Sequence, residues 1–89
     1  MQHELKTDPD VFDLVESGEK TFEIRWNDRN FQTGDYILLK KTKYSGVEMI
    51  EGKPLEYTGD NILLKAKHVM HGPVYGLSAG WVIISIEIA

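Results

Sequence analysis

The sequence predicts a mainly β (α+β) fold: a small β-barrel of about six strands with one N-terminal helix packed near one end. Three observations lead there. Apolar and β-branched runs recur at short spacing, at residues 2–6, 20–26, 36–41, 55–58, 62–70 and 81–88, with a further possible strand at 47–50; Gly, Pro, Asn and Asp turn signals separate them. Only one stretch, between Thr7 and Gly18, spaces its apolar residues as a helix does. The chain has 89 residues, 42% of them hydrophobic, enough for one domain around one core. Residues 1–89 therefore read as a single domain, without repeats, linkers or low-complexity segments.

Taken in order, residues 2–6 form a strand that turns Leu5 inward. Thr7-Asp8-Pro9-Asp10 opens the helix. Asp8 stands where a side chain caps, and Pro9 lacks an N–H that would be unpaired there anyway. The acids of this turn also suit the positive end of the helix dipole. Val11, Phe12, Leu14 and Val15 make an apolar stripe assigned to the core, and Gly18 ends the helix. In the strand over 20–26, Phe22, Ile24 and Trp26 form a period-two row expected to point inward, which leaves Thr21, Glu23 and Arg25 on the other face.

A polar loop follows, interrupted by Phe31, which is expected in the core, and Gly34-Asp35 marks a turn. The strand over 36–41 runs into Lys40, Lys41 and Lys43, the usual mark of a solvated edge that resists sheet-to-sheet association. Turn signals at Ser45-Gly46 and Glu51-Gly52-Lys53-Pro54 flank the possible strand at 47–50. The strand at 55–58 ends at Gly59-Asp60, and the one at 62–70 carries Lys65 and Lys67 on one face. After a loop punctuated by Gly72-Pro73, Gly76 and Gly80, residues 81–88 are apolar enough to lie centrally.

Composition removes several function classes. There is no cysteine, so a disulfide-linked partner, a thiolate metal site and a cysteine nucleophile are excluded. No apolar run approaches the roughly 20 residues that span a bilayer, and the N-terminus has no apolar signal core; the expectation is a cytoplasmic protein without a membrane partner. The net charge is -4, but the acids Asp8, Asp10, Asp13, Glu16 and Glu19 cluster in a stretch without lysine or arginine. From Lys20 onward nine basic and eight acidic residues nearly balance. Bulk binding to a long duplex needs a net basic footprint, whereas a pocket for one nucleotide or a short single strand does not.

The residues offer little conventional catalytic machinery. His68 and His71 stand three apart on a strand, with His3 elsewhere and no obvious partner ligands, so no metal is expected. The stretch 76–80 lacks the lysine and the strand-to-helix setting of a phosphate loop, and Ser78 and Ser85 have no base nearby in sequence. No cofactor is implied. Lys20, Glu23 and Arg25 are harder to set aside. On an exposed strand they form an ion-pair ladder worth at most about 1 kcal/mol, and the pattern alone slightly favours that. In a pocket, a carboxylate accepts hydrogen bonds from a nucleobase edge while arginine and lysine hold phosphate or stack on the base.

The run Gly18-x-Lys20-Thr21-x-Glu23-x-Arg25, with Asn27-Asp28-Arg29, Phe31 and Gly34-Asp35, resembles the ASCH (activating signal cointegrator homology) domains of the PUA-like superfamily. It looks still more like a small bacterial and phage family of unknown function within that group. His3-Glu4-Leu5-Lys6, Tyr57-Thr58-Gly59 and Gly80-Trp81-Val82-Ile83 are similar to that pattern too, so the match spans essentially the whole chain. The resemblance implies a PUA-like β-barrel with a cleft between barrel and helix, and RNA or a nucleotide-like small molecule as partner. It implies Lys20, Glu23 and Arg25 as ligand-binding residues, with Lys6, Asn27 and Arg29 as further candidates. Gly18 would end the helix and aim Lys20 into the cleft.

Some ASCH relatives are amidohydrolases acting on acetylated cytidine. Their motif resembles this one at the lysine but has a threonine nucleophile where this chain has Glu23. Thr21 stands two residues early, and neither Glu56 nor Glu87 is placed as the partner acid. Lys40-Lys41 departs from the pattern as well, since more acid is expected after that strand. The expectation is thus a binding module for single-stranded RNA, a modified base or a nucleotide. The alternatives are a small amidohydrolase of an acylated nucleoside, or a protein-interaction module of phage origin using the acidic helix face at Asp10, Asp13 and Glu16.

Overall fold

In the first strand, β1 (Gln2–Thr7), His3, Leu5 and Thr7 are buried and their neighbours exposed, the two-residue period of a strand with one face on the core. The computed structural model describes residues 1–89, and the same alternation shapes most of its sheet. The other strands are β2 (Phe22–Trp26), β3 (Tyr36–Thr42), β4 (Tyr57–His71) and β5 (Trp81–Ile88). They make one curled, mostly β half-barrel in the order β1-β3-β4-β5-β2. β1 runs parallel to β3, and the remaining pairs are antiparallel. β1 and β2, joined in sequence through the helix α1 (Pro9–Glu16), therefore lie at opposite edges of the sheet.

The core contains Ile37 and Leu39 of β3, Leu64 and Val69 of β4, and Val82, Ile84 and Ile86 of β5. Phe12 and Val15 of α1 enter it from the helix, and Phe31 from the loop, as expected. Leu14 does not; it stays largely exposed. Gly18 ends the helix at φ +82°, a left-handed conformation that glycine adopts without a Cβ penalty. Asp8 stands at the N-cap, yet its carboxylate caps nothing in α1 and accepts instead from the Gly46 N–H at 3.0 Å. It thereby ties the first helix to a second.

That second helix, α2 (Gly46–Ile50), replaces the strand expected at 47–50. Ser45 and Glu48 form a reciprocal capping box: the Ser45 hydroxyl accepts from the Glu48 N–H, and the Glu48 carboxylate from the Ser45 N–H, both at 3.1 Å. The two strands expected at 55–58 and 62–70 are one, β4: Gly59 at φ +94° sits in an irregularity of the ladder, with Tyr57 paired to Thr42 before it and Asn61 to Lys40 after it. The sheet thus has five strands. β3 is interior, with Lys40 over the Tyr57 ring, Lys41 on Asp13 at 2.8 Å and Lys43 near Glu56 at 3.7 Å. The basic run is engaged in contacts along an interior strand, with Lys43 still exposed, and guards no edge. Its hydrogen bond to Asp13 holds the Lys41 ammonium above its ordinary pKa. Neither helix is long and apolar enough to cross a membrane.

β2 reverses the inward-facing expectation. Phe22, Ile24 and Trp26 are exposed, at 41%, 49% and 54%, whereas Glu23 is 2% exposed. As the outermost strand, β2 carries its apolar row on the outer face of the sheet and its polar row toward the hollow.

Candidate functional site

Polar side chains on the inner face of an edge strand must find partners, because burying an unpaired charge costs several kcal/mol. Glu23 finds two. Lys20 Nζ donates to its Oε1 at 3.0 Å and Arg25 Nε to its Oε2 at 3.1 Å. Lys20 also donates to the Phe22 carbonyl at 2.7 Å, and its ammonium lies 4.9 Å from the Phe22 ring centroid. The carboxylate thus holds Arg25 by its Nε, which leaves both Nη groups without a partner in the chain.

These residues face an opening between the free edges of β1 and β2. A recess of about 290 Å³ is lined by Lys6, Thr7, Asp8, Val11, Lys20, Glu23 and Arg25 among others. A neighbouring recess of about 390 Å³ shares Lys6, Asp8 and Arg25 and continues to Thr42, Gly46, Met49 and Ile50. A third, with Leu5, Asp28 and Phe31, again includes Lys6 and Arg25 and adds Trp26 and Arg29. Lys6 and Arg25 therefore stand where three recesses meet. The Lys6 side chain makes no hydrogen bond or ion pair within the protein, so its ammonium is available to a ligand.

Chemically, the opening offers one free ammonium and the free end of one guanidinium, with a second ammonium held at the wall. That set suits an anionic or planar, acceptor-rich group such as a phosphate or a base edge. Residues 2–86 match a family described as a domain of unknown function, DUF3850. This chain belongs to that family. A comparison with curated proteins returns no match.

Within this DUF3850 domain, five of the six residues predicted for the site gather around the opening: Lys6, Lys20, Glu23, Arg25 and Arg29. Arg29 also donates through Nη1 to the Glu4 carbonyl at 3.0 Å, binding the loop after β2 to the edge of β1. Asn27 lines none of these recesses. Its Oδ1 accepts from the Phe31 N–H at 2.9 Å and shapes that loop.

Thr21 faces elsewhere, lining a separate recess with Val15, Leu64 and Ile86. The hydroxyls at the recesses belong to Thr7, which is buried and donates to the Leu5 carbonyl at 3.4 Å, and to Thr42, within reach of the Thr7 and Tyr44 carbonyls at 3.2 and 2.7 Å. His3 is committed to Asp35, while His68 and His71 lie exposed on β4. Asp8, Thr7, Met49 and Ile50 are lining residues that sequence reasoning missed. Asp8 was legible only as a helix cap, and the other signal was the Ser45-x-x-Glu48 capping box, which would have put Met49 and Ile50 on a helix.

Proposed function

We propose that this domain is a binding module for RNA or a nucleotide-like ligand: a single-stranded RNA, a modified base or a nucleotide held between the edges of β1 and β2. One observation carries the proposal. Lys6, whose ammonium is unpaired, and Arg25, whose Nη groups are free, line the same recesses, and a buried carboxylate holds the guanidinium by its Nε. In this arrangement Glu23 orients Arg25 and Lys20, while Lys6 and Arg25 take the phosphate or the acceptor edge of a base. The resemblance of residues 18–35 to ASCH domains of the PUA-like superfamily supports the same ligand class, and a cytoplasmic location accords with it.

Titration with adenosine 5′-monophosphate and with a short oligoriboadenylate, followed by amide shifts, tests the proposal. Shifts are expected at residues 6–8 and 20–25. Lys6→Ala is the cleanest variant, because no contact within the fold depends on that ammonium. It is expected to leave the melting temperature unchanged and to weaken binding about tenfold or more, the value of a charged hydrogen bond. Arg25→Ala is expected to act in the same direction. Titrations that perturb none of residues 20–29 would sink the proposal.

A further inference from the structure

The outer face of β2 and β5 carries a row of apolar side chains that the core does not use. Ile24 pairs with Ile83, and Trp26 with Trp81, in register across the two strands. The two indoles meet edge to face with ring centroids 6.0 Å apart. Trp26 is also held from below. The Trp26 ring lies where a Cβ on Gly80 would be, so only a glycine there admits it. Gly80 also adopts φ +86°, which disfavours other residues. Trp26 is thus braced by backbone on one side and by Trp81 on another, yet 54% exposed. An indole is normally worth burying, so its fixed and open placement calls for a partner.

The surroundings of Trp26 indicate which partner. Trp26 lines the same recess as Lys6, Arg25 and Arg29, so the cationic opening continues directly onto the indole across the β2 edge. A cationic track that ends on an exposed aromatic ring is the arrangement by which proteins hold single-stranded nucleic acid: cations follow the phosphates, and each ring receives a base. We infer that Trp26, braced by Gly80 and Trp81, is a stacking platform for a second base, so that the ligand is a single-stranded oligonucleotide crossing the β2 edge and not a lone nucleotide. This inference rests on the cleft proposed above and adds a subsite to it.

Binding of adenosine 5′-monophosphate is compared with that of an oligoriboadenylate and an oligodeoxyadenylate, each about six nucleotides long. The measurements use wild type, Lys6→Ala, Trp26→Ala and Trp26→Phe, with sedimentation to report the oligomeric state and circular dichroism to report folding. The oligonucleotide is expected to bind more tightly than the mononucleotide. Trp26→Ala is expected to lower oligonucleotide affinity by about five- to a hundredfold while leaving mononucleotide affinity unchanged. Trp26→Phe should recover most of the loss, which separates stacking from a folding defect. Equal affinity of wild type and Trp26→Ala for the oligonucleotide would overturn the platform and leave the cleft standing. So would a Trp26-dependent dimer with unaltered oligonucleotide binding, which would give the apolar face to a second copy. If none of the three probes binds, or if Lys6→Ala changes nothing, the cleft proposal falls and the platform with it.

Discussion

His3, buried on β1, reaches Asp35 in the turn before β3, where its Nε2–H donates to Oδ2 at 2.8 Å. The Gln32 N–H donates to the same oxygen at 3.0 Å, the terminal amine lies 3.4 Å from Oδ1, and the His3 ring stands edge-on to Phe31. Burial raises the pKa of Asp35, but the hydrogen bonds from His3 and Gln32 and the nearby amine outweigh it and hold the carboxyl below its ordinary 3.8. A carboxyl with a depressed folded-state pKa stabilises the fold above its unfolded value, and that contribution fades as pH falls through the folded one. Acid unfolding of wild type should therefore steepen below about pH 4, the unfolded value for aspartate. Asp35→Asn should be less stable at neutral pH and should lose stability more gently in that acid window. Parallel acid denaturation curves for the two proteins would contradict this.

At the scale of elements, β2 decides where the cleft is. The alternation of Phe22, Ile24 and Trp26 was legible as a strand, but its facing was not. Alternation fixes which residues share a side and leaves open which side is buried. Here the neighbours settle it: β2 is an edge, Glu23 has two cations to satisfy it, and Gly80 seats Trp26 outside. The interior strand β5 and the end of α1 at Gly18 were readable because a nearly continuous apolar run and a left-handed glycine leave direct traces. The outward facing of β2 has a consequence for stability. Ile24→Ala should cost less than about 1 kcal/mol, as exposed substitutions do. Ile84→Ala, the same truncation of a side chain with no exposure, should cost about 2–5 kcal/mol. Chemical denaturation of the pair checks the facing directly, and a larger loss at Ile24 than at Ile84 would reverse it.

For the molecule as a whole, charge and topology act together. The net charge is -4, and the acids of α1 dominate it. Parallel pairing of β1 with β3 places β1 and β2 at opposite edges, and α1 links them. Nothing local in the sequence announces that pairing, so Lys6 and Arg25 are far apart in the chain and together only in the fold. Within a net acidic protein they form a small cationic spot, extended by Arg29, while Glu23 offsets one charge of the Lys20 and Arg25 pair that shares it. A polyanion held by so few cations releases few counterions. With about two or three phosphates neutralised, affinity for a short single strand should fall with salt at a log–log slope of about -1.4 to -2, from about -0.7 per phosphate. Lys6→Ala should make that slope shallower by about 0.7. The acidic helix adds a second consequence: a long duplex, which presses a large surface against the protein, should bind more weakly than the short single strand at low salt, where repulsion is least screened. A salt slope near zero would mean that no phosphate meets Lys6 or Arg25, and tighter duplex binding would mean that the footprint is not confined to the opening between β1 and β2.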